Sequence, residues 1–139
     1  MNAKTHADLQ VHASQGSVSE TVARLRTELE RRAVRVFAHI DHAEAAREVG
    51  LDLRETQVVL FGNPVVGTIL MQMNDTVALS LPLKVVVYAS DAGTQIAYLP
   101  LIAQAETFGL DPGAEIVGKL DRFMASLAAV VGGGEASAA

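Results

Sequence analysis

The sequence predicts an α+β fold: a single domain built on a mainly antiparallel sheet of about five strands, with helices packed on one face. Three observations carry this. Segments of period two and segments of period 3.6 follow one another along the chain. Asp91-Ala92-Gly93 joins two β-branched segments as a hairpin signal. Between Thr56 and Gln104 the only charged residues are Asp75, Lys84 and Asp91, which suits a sheet core or a buried interface. The length of 139 residues fits one domain, and 50% hydrophobic with 19% charged residues is a globular composition. No internal repeat stands out.

Residues 7 to 13 alternate, with Ala7, Leu9, Val11 and Ala13 on one side and His6, Asp8, Gln10 and His12 on the other. That predicts a half-buried strand whose apolar side faces inward. Ser17 and Glu20 have capping-box spacing, and Val18, Val22, Leu25 and Leu29 then form one helical face. Val34 to Ile40 reads as a second strand with Val34, Val36, Ala38 and Ile40 on one face. Asp41 and Glu44 repeat the capping spacing, and a short helix from His42 would end at Gly50. Thr56 to Phe61 is a third, interior strand. Asn63 and Pro64 suit the cap and first position of a helix that continues over Val65 to Met73. Leu83 to Ser90 and Thr94 to Leu99 make the hairpin, with Tyr88 and Tyr98 as cross-strand partners. A short helix over Leu101 to Phe108 ends at Gly109. Asp111 then caps the last helix, with Pro112 at its first position and Ile116, Leu120, Phe123 and Leu127 as its apolar stripe. The domain is expected over residues 1–131, with 132–139 as a flexible tail of small residues.

Eleven basic against sixteen acidic residues leave a net charge of −5, so a phosphate-neutralising nucleic-acid surface is not expected. The absence of cysteine removes disulfides, thiolate metal sites and thiol nucleophiles. Met1 to Val18 lacks the basic and apolar regions of a signal peptide. No apolar run reaches about 18 residues without interruption. The chain therefore reads as soluble and cytoplasmic, with no membrane role.

Asp41 and His42 are candidates for proton transfer or metal binding, beside the simpler reading of a helix cap and an exposed first-turn residue. His39 and Asp41 share a strand face and His42 does not, so a compact metal site from the three is not expected. Phe61-Gly62-Asn63-Pro64 with Gly67 and Thr68 offers close backbone approach and helix-terminal amides to a small anion. It is neither a Walker loop nor a dinucleotide fingerprint, and a tight strand-to-helix turn explains it equally. Met71, Met73 and Met124 suit an apolar pocket, although methionine at helical spacing is mostly core. His6, Asp8 and His12 read as a solvated strand face. No serine sits in a nucleophile elbow, so no catalytic residue is assigned.

Phe37-Ala38-His39-Ile40-Asp41-His42-Ala43, Ala46, Gly50, Phe61-Gly62-Asn63-Pro64, Gly67-Thr68, Leu70-Met71 and Leu81-Pro82-Leu83-Lys84 together resemble the bacterial and archaeal family named domain of unknown function 302. The resemblance covers roughly Val11 to Met124. It implies one α+β domain, often dimeric, with no established activity. Glu55-Thr56 stands where relatives usually have Pro-Thr, Ser80 where an acidic residue is frequent, and Leu99-Pro100 where an Asn often follows the tyrosine. The expectation is a homodimeric, non-enzymatic module binding a small apolar or anionic ligand, without metal or cofactor. Its site would be Asp41, His42, Phe61, Gly62, Asn63, Pro64, Gly67, Thr68 and Met71. The alternatives are an enzyme using Asp41 or His42 as acid/base, and a protein–protein interaction domain.

Overall fold

The computed structural model describes residues 8–133. Five antiparallel strands form one sheet in the order β1-β5-β4-β3-β2, with β1 Gln10–Ser14, β2 Arg35–Asp41, β3 Thr56–Gly62, β4 Leu83–Ser90 and β5 Gly93–Tyr98. The α+β expectation therefore holds. Two long helices, α1 (Val18–Arg31) and α4 (Glu115–Gly133), pack on one face of this sheet. Val22, Leu25 and Leu29 of α1 meet Val59, Phe61, Val85, Val87 and Ile96 of the sheet and Met124, Leu127 and Val131 of α4 in the main core.

A second core sits at one end of the sheet. β3 runs into α3 (Pro64–Met73), and Leu70 of α3 packs with Val77, Leu101, Ala105, Leu110 and Val117. Between α3 and β4, Asp75–Ser80 form a 3₁₀ helix that the sequence reading did not anticipate. Asn74 accepts from the Thr76 amide and so starts it.

The predicted caps are present. Ser17 and Glu20 exchange hydrogen bonds in a capping box, Asp41 accepts from the Glu44 amide at the start of α2 (His42–Glu48), and Gly50 takes φ +77 beyond its end.

Four expectations are corrected. The register of β2 on β3 shifts between Val36 and Ala38, so Phe37 is an unpaired bulge residue. Val36 faces the main core, while Ala38 and Ile40 point to the opposite face with Leu60 and Val58. In β1 the faces are inverted. Val11 is 40% exposed, whereas His12 turns in beside Ile96 and stacks on Tyr98 at 2° and 6.1 Å between ring centroids. The polar atoms of an imidazole did not keep it outside, because an aromatic neighbour offered its flat face. His6 lies outside the described residues. Tyr88 pairs with Gln95, not Tyr98, and the two tyrosines occupy opposite sheet faces because their positions differ by an odd step in the ladder. Around the last helices, only Leu101–Gln104 form a 3₁₀ turn, and α4 begins at Glu115. Asp111 accepts from the Gly113 amide, closing a turn one step earlier than the helix.

α4 also runs further than the reading placed it. Gly132 is buried, with its carbonyl accepting from the Gln15 amide at 3.0 Å. A Cβ there would stand 2.8 Å from the Ala13 carbonyl oxygen, so glycine is what lets α4 lie on β1. Residues 134–139 lie outside the described residues.

Candidate functional site

The site-like region forms where β3 ends. Gly62 closes the strand opposite Arg35. Asn63 is extended, and its Oδ1 accepts from the Val65 amide at 2.8 Å and the Val66 amide at 3.4 Å, with Pro64 at the first helical position. These first amides of α3 are thus occupied by Asn63 itself, and an anion would have to displace its side chain to use them.

α3 leaves the sheet, and α4 approaches from the other side. A cleft of about 950 Å³ lies between them, and Leu81, Pro82 and Leu83 also line it. That is the upper end of the range for sites that hold drug-sized molecules. Gly62, Asn63, Pro64, Gly67, Thr68 and Met71 all line it. Val66 and Ile69 from α3 and Ile116, Leu120 and Phe123 from α4 make its walls apolar. Gly67 leaves room in the α3 wall. A Cβ there would meet only Leu81 and Met71, at 4.0 Å.

The mouth carries charge. Arg32 and Arg35 come from the α1–β2 junction, and Glu115 and Lys119 from the first two turns of α4. Arg32 is held in place: its guanidinium donates to Glu28 at 2.6 Å and to Ser126 at 3.1 Å, and lies 5.4 Å over the Phe123 ring. The Arg31 and Arg32 guanidiniums hold the Glu28 carboxyl down to about 2, against the opposing effect of burial. Arg35 and Lys119 form no ion pair among the described residues. Arg35 lies over the Phe37 ring at 5.5 Å. The bulge is what brings Phe37 there: out of the ladder and 48% exposed, it stands 3.6 Å from where a Gly62 Cβ would be.

Three of the anticipated site residues stand apart. Phe61 is 0% exposed and its ring lies in the main core, on the sheet face that α1 and α4 cover. Asp41 and His42 lie at the opposite end of β2 from Arg35, six residues or about 20 Å away. The Asp41 carboxylate is engaged as the α2 cap, and His42 is exposed. The acid/base reading thereby loses the pocket it requires. His39 contacts Gln57, the residue opposite Asp41 in the ladder, at 2.6 Å and Arg26 at 3.4 Å, while His42 has already entered α2. Among the described residues no three histidine, aspartate or glutamate side chains converge as a metal site. Met71 lines the cleft, Met124 lies in the main core, and Met73 is 45% exposed.

Sequence reasoning missed Arg35, Phe37 and Lys119. The apolar stripe of α4 was visible in Ile116 and Leu120, but nothing in the local pattern singled out Lys119 beside them.

Comparison with known proteins agrees with this fold. A solved structure from Bacillus stearothermophilus, described as an uncharacterized conserved DUF302 protein, superposes with a TM-score of 0.80 over 89% of this chain and 98% of that one. Its sequence identity of 22% makes this a likeness of fold. Two curated relatives are the fluoride-specific ion channels FluC 1 of Brucella suis and FluC 2 of Brucella melitensis, each 38% identical over 80 residues. The match takes in 58% of this chain and only 32% and 30% of those proteins. Among the described residues no helix is long and apolar enough to cross a membrane. The model of the family described as "Domain of unknown function DUF302" matches residues 10–127, and the chain belongs to that family.

Proposed function

We propose that this domain is a homodimeric, non-catalytic module that binds a small apolar or anionic ligand in the cleft between α3 and α4. The observation that carries the reading is the cleft itself: apolar walls, a mouth with two cations in no ion pair, and a glycine that keeps one wall low. Gly67→Leu tests it. The new side chain projects into the cleft without meeting backbone, and replacing a helical glycine stabilises α3 by up to about 1 kcal/mol. The variant is expected to keep or raise its melting temperature while losing binding of an apolar dye such as Nile red. Dye binding equal to that of the parent protein would sink the cleft as the site.

The dimer is supported by the sheet face away from α1 and α4. Ile40, Val58, Val86, Ala97 and Val11 form one apolar row across all five strands, exposed at Ile40 and Val11, half-buried at Val58 and Val86 and buried at Ala97, and the bulge is what turns Ile40 onto it. Lys84 is the one charged side chain in the adjoining row with Leu60 and Ala38. The face measures roughly 24 Å by 20 Å, so two copies would bury on the order of 1,000 Å², the lower bound of a specific interface. Sedimentation should give a dimer for the parent protein and a monomer with unchanged circular dichroism for Val86→Glu. Should that variant not fold, Ile40→Lys at the sheet edge serves instead. A monomeric parent protein would overturn the dimer.

A second reading, an interaction domain, has its own support in the channel relatives. The matched third of those proteins corresponds to a chain with no membrane-spanning helix among its described residues, so it reads as an appendage to the conducting part. A cleft that retains nothing in native mass spectrometry, with dye binding indifferent to Gly67→Leu, would favour this reading.

A further inference from the structure

The charges at the cleft mouth narrow the ligand class, on the premise that the cleft is a binding site. The whole chain carries −5, so an anion is repelled by the molecule at large and would need a local reason to stay. The mouth provides one. Arg32 is fixed by Ser126 and by Glu28, whose one carboxylate it shares with Arg31. With Arg35 and Lys119 facing only Glu115, the opening carries an excess of positive charge. Glu115 precedes Lys119 by one helical turn, yet the two do not form an ion pair. Behind the mouth the walls are aliphatic and aromatic, and no buried polar side chain without a partner lies among them. A polar or multiply charged molecule would be desolvated there without compensation. An apolar molecule alone would leave the two cations unused. The α3 amides, already taken by Asn63, do not compete for the head group.

We propose that the cleft takes a linear amphipath with a single carboxylate, a medium-chain fatty acid, its tail between α3 and α4 and its head at Arg35 and Lys119. A single carboxylate answers the positive excess at the mouth, and the apolar walls behind it admit no second charge. Arg35, steadied over Phe37, can offer two parallel donors to a carboxylate, while Lys119 adds a point charge.

Calorimetric titration of the intact protein with decanoate, 1-decanol and decylamine tests this. Charge-assisted hydrogen bonds at a partly exposed mouth should make decanoate bind about tenfold more tightly than 1-decanol, with decylamine weakest. The double variant Arg35→Gln, Lys119→Gln should lose that preference and bind 1-decanol as before. Equal binding of decanoate and 1-decanol by the parent protein would overturn the carboxylate assignment and leave the cleft as an apolar site. A preference that survives in the double variant would overturn the role of these two residues. If none of the three binds and none displaces Nile red, the binding-module reading falls with it.

Discussion

Phe61→Ala is expected to cost about 3–5 kcal/mol of folding stability and to leave the cleft's ligand preference unchanged. The ring is fully buried in the cluster formed by α1, α4 and the sheet, and its removal opens a void in the main core. β2 and β4 flank it with Val36 and Leu83, both held by ladder hydrogen bonds, so the walls cannot collapse freely. A domain of this size has roughly 5–15 kcal/mol in total, so the variant should unfold far earlier in urea. The comparison with Gly67→Leu separates two neighbours on one short motif. One loses stability and keeps its ligand below its own melting temperature. The other loses its ligand and keeps stability. A Phe61→Ala protein with an unchanged urea midpoint and no ligand binding would reverse these assignments.

That contrast shows how far the sequence carried. Local chemistry was legible wherever one or two residues decide the backbone. Asn63-Pro64 could be read as a helix start because an amide oxygen and a fixed φ act within three residues. The capping box at Ser17 was legible for the same reason. The hairpin turn followed from Asp91-Ala92-Gly93, where Gly93 takes φ +104. The bulge at Phe37 was not legible. Val-Phe-Ala-His-Ile offers apolar side chains to either face, so alternation fits a regular strand as well as a shifted one. Ala38 and Ile40 were therefore placed on the same face as Val36. β1 failed differently, since its polar side is the inward one and an edge strand carries little hydrophobic pressure on its register. The cleft itself depends on α4 passing opposite α3, a contact about fifty residues apart in sequence that no local pattern encodes. Ile116, Leu120 and Phe123 of the cleft wall, and one of its two free cations, came from that contact.

Acid should weaken this fold through one residue in particular. Glu28 is 7% exposed, and it accepts from Arg31 at 2.5 and 3.0 Å and from Arg32 at 2.6 Å. These guanidiniums hold its carboxyl down to about 2, below its ordinary value near 4.5. A carboxyl depressed in the folded state favours folding in its ionised form. Its contribution is full above about pH 5 and falls away as the pH drops toward 2, because the unfolded chain then takes up the proton first. Glu28→Gln removes the charge and keeps the shape. It should lower stability at pH 7 by about 2 kcal/mol, the order of hydrogen bonds to a charged group, and flatten the acid limb of the stability curve between pH 5 and pH 2. The effect should also reach the cleft. Arg32 is 16% exposed in its side chain and lies against Phe123, so losing its carboxylate frees a third cation at the mouth. Urea titrations from pH 7 to pH 2 measure the first effect, and decanoate titration at pH 7 the second. A variant whose stability falls with acid as steeply as the parent's would place the acid sensitivity on other carboxylates. Unchanged decanoate affinity would show that Arg32 stays against Phe123 by packing alone, with Glu28 serving the core and not the mouth.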